Sequence, residues 1–583
     1  MSSPFITLII PALLLLGLMW PHVATSLQRT SLVPQAGQVS SAEPRPPLTP
    51  RWAYEPWVWE DEVNTAQAVR ELVDGYIQRD IPTGVVIIDS PWQTNYNTFQ
   101  FNDDYPDPAG LVDELHAKKI RVILWVTPFI NVTSDDGPGR GKAALYDEAQ
   151  AAGYFVDPGR VTRWDKGEGS AIDFFNPEAV TWWYAQMDRA FAAGVDGWKV
   201  DSPEGNLPGQ FQTAAGLKTD REYGDEYYRA MYRYVVERRP DAITFARAVD
   251  SGTVYAPVSV NPAAWVGDQN PSWAGLRESF DDVLASSKHG FSMVGPDIGG
   301  YRRGERSQRV FLRWAQFGAL VPLMENGGRG EHRPWMYGEE ATAIYRLYAK
   351  LHHELVPYLY SAGIEAHRTG LPIIRNPDTV RKQYELGRDI LVAPLINEDE
   401  KRDVYLPGGA RWHNFWADDD VYDGDRTLSV PAPIGRTPLY IRSGAIIPLQ
   451  VDDPEPGHGD RSSTGRLTLL VYPGIESSRV FHPNPDETVT LRSSRAGAAV
   501  EVQISPRSER YVLRIKEPGQ PAEVQLTRNG QNTRLSSFTA WDDFERASDA
   551  SYYDEESHYL WVRFDTDQAD ARLNYSATSV RRD

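Results

Sequence analysis

"GVDGWKVDSPEG", Gly194 to Gly205, is an apolar run that stops on an aspartate and passes into a Ser-Pro-Glu-Gly turn. Residues two apart in a strand face the same side, so Lys199 lies one layer beneath Asp201, while Trp198 and Val200 face the other way. The same design recurs along the first part of the chain. Its runs are "WAYEPWVW", "GVVIIDSPW", "IRVILWVTP", "VDGWKVD", "AITFARAVD", "AAWVGD", "FSMVGPDIGG" and "FGALVPLMEN". Amphipathic helical patterns lie between several of them, over 64–78, 176–194 and 223–238. The alternation predicts an α/β chain built on a closed (β/α)8 TIM barrel over 51–363, followed by C-terminal antiparallel β-sandwich domains. An open doubly wound sheet would show a Gly-rich phosphate loop after its first strand, and none is present. In a parallel barrel the C-terminal strand ends share one face, which places Asp89, Asp201, Arg247, Asp268 and Asp297 together. The Gly- and Asp-rich segment 131–170 is too long for a plain loop and predicts an excursion over that face.

Beyond Leu371 the pattern changes to period-two runs with turn signals, such as "DILVAPLI", "RLTLLVYPG", "RYVLRIK" and "HYLWVRFD". This predicts a proximal sandwich over 364–450 and a distal one over 451–583. At the front, the apolar run Phe5–Trp20 is shorter than the roughly 20 residues of a bilayer span and is followed by "VATS". Residues 1–26 therefore read as a cleaved signal peptide, 27–50 as a Ser/Pro-rich flexible linker, and the protein as secreted, with no stable membrane span. The sequons at Asn131 and Asn574 are compatible with export. No cysteine occurs among the 583 residues, which excludes disulfides, thiolate metal sites and a cysteine nucleophile. A formal charge of −20 argues against nucleic acid as a partner. The 18 Trp and 29 Tyr suit the stacking of sugar faces as well as core packing.

Two carboxylates from separate strand ends are what acetal cleavage needs, without a metal or an organic cofactor. Lys199 beneath Asp201 favours an ionised nucleophile. Asp268, in "NPAAWVGDQNPSW", sits between Trp265 and Trp273, an apolar setting that would keep an acid protonated. The structural alternatives are ordinary. Ser202 also reads as a helix cap with Pro203 at the first helical position, and Asp268 as the residue that stabilises a turn.

From "WAYEPWVW" through "PLYIRSGAIIPLQ" the sequence resembles glycoside hydrolase family 31, the α-glucosidase and α-xylosidase family. The resemblance rests on "DFFNPEAVTWW", "GVDGWKVD", "AAWVGDQNPSW", "GPDIGGY", "RWAQFGALVPLMENGG", "LGRDILVAPLI" and "DVYLPGGARWHNFW", in that order. It implies a retaining exo-acting α-glycosidase, with Asp201 as nucleophile and Asp268 as general acid/base. It implies substrate contacts from Asp89, Lys199, Arg247, Trp265 and Asp297, and a substrate that is an α-linked sugar or oligosaccharide. Lys199 two residues before the nucleophile resembles the α-xylosidase branch and the α-galactosidase-like member. Gln269 resembles sulfoquinovosidase-like members. The family's Arg-Asn-His after the eighth strand, whose histidine binds ring hydroxyls, is Glu325-Asn326-Gly327 here, which implies either that His332 supplies the substrate contact from the same loop or that the hydroxyl contact has changed. The family's N-terminal sandwich has no counterpart in the fifty residues before the barrel, which implies a more open pocket. A transglycosidase, or a carbohydrate-binding protein that has lost turnover, are the alternatives.

Overall fold

The computed structural model describes residues 45–577 except 202, 204 and 208. The signal segment, most of the linker and Ser202 lie outside the described residues. The eight strands of the principal sheet are β1 (Trp57–Glu60), β2 (Val85–Ile88), β3 (Arg121–Val126), β4 (Gly197–Val200), β5 (Ile243–Arg247), β6 (Ala263–Trp265), β7 (Val294–Gly295) and β8 (Glu325–Asn326). They pair in parallel in the order β7-β6-β5-β4-β3-β2-β1-β8. The ring is sealed by one bridge, Asp297 opposite Glu325, in which Ile298 N–H donates to Glu325 O at 3.0 Å.

The strands are uniformly buried, as expected of parallel strands covered on both faces. Helices α1 (Ala66–Ile77), α2 (Pro108–Ala117), α3 (Pro177–Phe191), α4 (Asp220–Arg238), α5 (Trp273–Lys288) and α6 (Gln308–Gly318) cover the ring, and α7 (Glu339–Glu354) and α8 (Val356–Thr369) follow β8. Thr65, Asp107, Asn176, Thr219, Ser272 and Ser307 cap the first six, each accepting a backbone N–H of the first turn. The β5–β6 crossover carries no α-helix, only the hairpin Val249–Asp250/Thr253–Val254 and a 3-10 turn at Val258–Val260. The excursion after β3 forms a three-stranded sheet of Phe129–Ser134, Gly167–Ala171 and Thr162–Trp164.

Helix α8 continues to Thr369, past the limit of 363 read from the pattern: Gly363 lies within it, packed against the Tyr54 hydroxyl where a Cβ would not fit, and the left-handed Gly370 ends it. The helix expected directly after Asp201 does not start there. A hairpin, Gln210–Thr213 with Gly216–Thr219, intervenes, and α4 begins at Asp220 under a Thr219–Glu222 capping box. Asn131 is no surface acceptor for a glycan. It is 0% exposed, accepts from the Trp164 indole at 2.7 Å and donates to Ser134 Oγ at 3.0 Å.

Downstream, a six-stranded sheet and a two-stranded one enclose a small core around Leu391, Val404 and Trp412. Strand Ile446–Gln450, which the turn pattern groups with these, instead pairs antiparallel with Leu467–Val471 and opens the next sheet. That ten-stranded sheet is threaded by two long strands, Ala499–Lys516 and Tyr559–Ala577, whose pairing is broken by bulges near Arg507. The alternating residues Val500, Val502 and Ile504 before the bulge and Tyr511, Leu513 and Ile515 after it share one core. One sheet bent on itself thus makes the layers. Among the described residues no helix is long and apolar enough to cross a membrane. The carboxylates Asp80, Asp453 and Glu455, whose spacing could suit a cation, surround Lys350 Nζ at 2.5, 2.9 and 3.0 Å.

Candidate active site

Strand β4 fixes the centre of the site. Trp198 faces outward among Trp92, Phe99, Phe191 and Tyr234, with ring centroids 5.8 to 6.5 Å away. Gly197 is required, because a Cβ there would meet Ile243 O on β5 at 2.2 Å. With Trp198 locked outside, Lys199 points into the ring and Asp201 emerges at its mouth, its N–H donating to Val126 O at 2.9 Å.

Asp201 Oδ2 accepts the Trp125 indole N–H at 3.0 Å. Its Oδ1 lies 3.3 Å from Arg247 Nη2, and the same nitrogen donates to Asp268 Oδ1 at 3.1 Å. The two carboxylate oxygens therefore cannot be farther apart than these two contacts laid end to end, an upper bound that admits the carboxyl separation of about 5 to 5.5 Å used in retaining glycoside cleavage. Arg247 is buried, and its Nη1 donates to Asp250 Oδ2 at 2.8 Å and to Asp268 Oδ1 at 3.2 Å. Burial opposes the guanidinium charge, yet Asp268, Asp201 and Asp250 hold its pKa well above the ordinary value.

The apolar enclosure expected for Asp268 is not formed. Its side chain is 33% exposed, and Trp273 turns away to donate to Glu398 Oε1 at 2.8 Å. Trp265 stays in the site, with Lys199 Nζ 5.3 Å and Arg247 Cζ 5.1 Å from its ring. At the floor, Lys199 Nζ donates to Asp89 Oδ2 at 2.9 Å and lies 3.5 Å over the Trp59 ring. Burial works against charge on Lys199, but Asp89, Asp297, Glu325 and Asp201 outweigh it and raise the pKa. Four carboxyls around one ammonium cannot all be charged in a dry interior. Burial, reinforced by Glu325, drives Asp297 well up, and burial pushes Glu325 up to about 7 against the pull of Lys199. Asp297 Oδ1 and both Glu325 oxygens make no hydrogen bond of ordinary geometry, so the pair is close in charge terms without being satisfied.

The resulting cavity has a volume of about 540 Å³ and contains Asp89, Lys199, Asp201, Arg247, Trp265 and Asp268 in its wall. Asp297 lies below it, at the bridge to β8. His332 is not part of it either. The ring is 1% exposed, its nitrogens lie 3.2 and 3.3 Å from the carbonyls of Gly330 and Gly300, and burial and Arg306 lower its pKa to about 3, so it is a neutral ring whose one N–H can donate to only one of the two carbonyls. Sequence reasoning missed Trp125, although its place at the end of β3 follows the same strand-end rule that selected Asp89 and Asp201. It also missed Trp164 and Lys166, which the excursion delivers to the wall, and Tyr301 and Arg329, which cover it from the β7 and β8 loops. Nothing local marks these, because the loops that carry them are positioned by contacts far along the chain.

Residues 46–362 match the glycosyl hydrolases family 31 TIM-barrel domain, and residues 372–447 the glycosyl hydrolase family 31 C-terminal domain. An alpha-xylosidase of Emericella nidulans is 26% identical over 446 residues, which are 70% of this chain and 55% of that protein. Alpha-glucosidase 2 of Bacillus thermoamyloliquefaciens is 26% identical over 472 residues, 73% of this chain and 58% of that protein. The cycloalternan-forming enzyme of Listeria monocytogenes, solved with a pentasaccharide substrate, superposes with a TM-score of 0.81 at 22% identity over 91% of this chain and 55% of that one. The chain thus spans somewhat over half the length of these relatives. With the barrel match alone covering more than half of the sequence, and its strand ends carrying the paired aspartates, the chain belongs to glycosyl hydrolases family 31.

Proposed function

We propose that this protein is a retaining, exo-acting α-glycosidase that removes a non-reducing terminal α-linked sugar. The observation that carries the proposal is the contact of a single nitrogen, Arg247 Nη2, with both Asp201 and Asp268. In this reading the Lys199–Asp89 pair closes the pocket and binds ring hydroxyls, while the Trp265 indole meets an apolar face of the sugar. A pocket closed at one end suits a chain terminus. Asp201, oriented by the Trp125 N–H and Arg247, attacks the anomeric carbon as Asp268 gives its proton to the leaving oxygen. The product is a glycosyl ester on Asp201. Asp268, now ionised, takes a proton from water, which hydrolyses the ester with net retention. Transfer to a sugar acceptor would use the same ester.

The relatives named alpha-xylosidase and alpha-glucosidase support α-xylosides and α-glucosides as first substrates, and Lys199 adds α-galactosides. Incubation with a panel of nitrophenyl α-glycosides tests the reading. Release from at least one sugar, first product of retained configuration, and a 2-fluoroglycosyl adduct mapped to Asp201 are expected. Inverted product, or an adduct elsewhere, would sink it. Export is proposed from the Phe5–Trp20 run, and N-terminal sequencing of protein recovered from the medium tests that.

A further inference from the structure

A second chamber adjoins the first on the far side of Asp268. Its volume is about 320 Å³, and it shares Asp250, Asp268, Asn270 and Arg302 with the sugar pocket while adding Gln269 and Glu278 of its own. It is formed where the hairpin after β5 meets the loop after β6. Gly267, at φ +60°, allows this approach, since a Cβ there would lie 2.6 Å from the Asp250 carboxylate. The hairpin is fastened from behind, Ser251 N–H donating to Asp282 Oδ2 at 3.1 Å and Ser251 Oγ to Glu278 Oε1 at 3.1 Å.

The wall offers mostly acceptors. Asp250 and Asp268 are already bonded to Arg247 from the sugar pocket, and Arg302 is tethered through Nε to the Asp268 carbonyl at 2.7 Å, so Glu278 is the carboxylate of this wall that has no ion pair among the described residues. Behind the hairpin, burial pushes Asp282 up to about 6 against the N–H groups of Ser251 and Gly252, with smaller contributions from Asp250 and Glu278. Independently of the carboxylates, Gln269 in this wall is 3% exposed and commits its Nε2 to Val266 O at 2.7 Å, which leaves its buried Oε1 with no donor. An unused buried acceptor is costly unless a ligand supplies the donor.

We propose that this chamber is the leaving-group site and that it selects a leaving group rich in hydrogen-bond donors, an amino sugar above a neutral sugar and a carboxylated sugar last. The inference rests on the catalytic reading of Asp201 and Asp268, because the acid that protonates the departing oxygen must face both the sugar and the group that departs. Asp268 is the residue the two cavities share. Glu278 and Asp250 are then specificity determinants, acting on the leaving group through charge and hydrogen bonding rather than on the reacting carbon.

The test keeps one glycone, chosen from the nitrophenyl panel, and compares kcat/KM at low salt for three disaccharides whose leaving sugars are glucosamine, glucose and glucuronic acid. The expected order is that order, with each charge step worth about fivefold and shrinking as salt is added. Glu278→Gln should compress the glucosamine-to-glucuronate ratio about fivefold and Glu278→Lys should abolish it. Glu278 is exposed at the end of the chamber, so neither variant burdens the fold. Ratios that are the same in wild type, Glu278→Gln and Glu278→Lys would overturn the chamber assignment while leaving catalysis intact. A protein inert toward every nitrophenyl glycoside would overturn the catalytic reading and this inference with it.

Discussion

Lys199 and Asp89 form an ion pair 2.9 Å long at the bottom of the pocket, with each side chain only 6% exposed. Such a pair contributes little net stability when intact, but removing one partner strands the other charge in a dry site. Lys199→Met is therefore expected to cost about 3 to 5 kcal/mol in denaturant unfolding, and the double change with Asp89→Asn to recover part of it. A single-variant cost under about 1 kcal/mol would show that the pair is solvated and not the closed floor described above.

Arg247 is the geometric hinge of the site. Replacing its planar fork with a point charge loses the simultaneous contact to Asp201, Asp268 and Asp250. Arg247→Lys should lower kcat by about 100-fold, the usual result of sub-ångström misplacement of reacting groups, with a much smaller change in KM. Steady-state kinetics on the best nitrophenyl substrate decide this, and an unchanged kcat would remove Arg247 from the positioning role.

Asp268 as proton donor makes a distinction between leaving groups. Asp268→Asn should reduce kcat/KM by about 10² to 10⁴ for sugar leaving groups, which need the proton. For 2,4-dinitrophenyl glycosides, whose phenolate leaves unaided, the first step should be nearly spared. Equal losses on both substrates would assign Asp268 to structure instead of acid catalysis.

Glu325 gives the fold a pH signature. Its carboxyl titrates near 7 in the folded chain against an ordinary value of 4.5, because burial favours the neutral form. The folded state then binds more protons than the unfolded chain between these values, so this residue's share of stability is complete below about 4.5, is lost as pH rises toward 7, and stays lost above. Glu325→Gln should remove that slope and leave the protein more stable than wild type at pH 8 by on the order of a few kcal/mol. Thermal unfolding of both proteins from pH 4 to 8 reads the difference. Parallel curves would mean that the Asp297–Glu325 pair does not hold the proton.

The barrel, its eight runs and most of the convergent polar residues are readable from the sequence because they obey local rules. The period of two along "GWKVD" sets Lys199 beneath Asp201, and the strand-end rule gathers Asp89, Arg247 and Asp268. What local rules missed depends on closure of the ring. Asp297 looks like a pocket residue by motif, yet its register opposite Glu325 draws it below the floor. His332 has the right chemistry for a sugar contact, but its ring is buried between the carbonyls of Gly300 and Gly330, outside the pocket wall. Asp268 lies between two tryptophans in sequence, and only one of them shares its space, because Trp273 begins α5 and points to Glu398. The proximal and distal sheets traded Ile446–Gln450 for the same reason: an apolar period-two strand reveals that it pairs, not with which partner.

Each neighbouring pair of barrel strands is stitched by two to four residue pairs, except the join between β7 and β8, where Asp297 and Glu325 stand alone. A hoop with one rivet parts at that rivet. Since burial also raises the carboxyl pKa at that rivet, acidity and mechanical integrity become one variable here, and the loops that bring Tyr301 and Arg329 to the pocket wall grow from its two sides. Loosening the join would spread these loops, so the mouth of the pocket is hung from the weakest seam of its own wall.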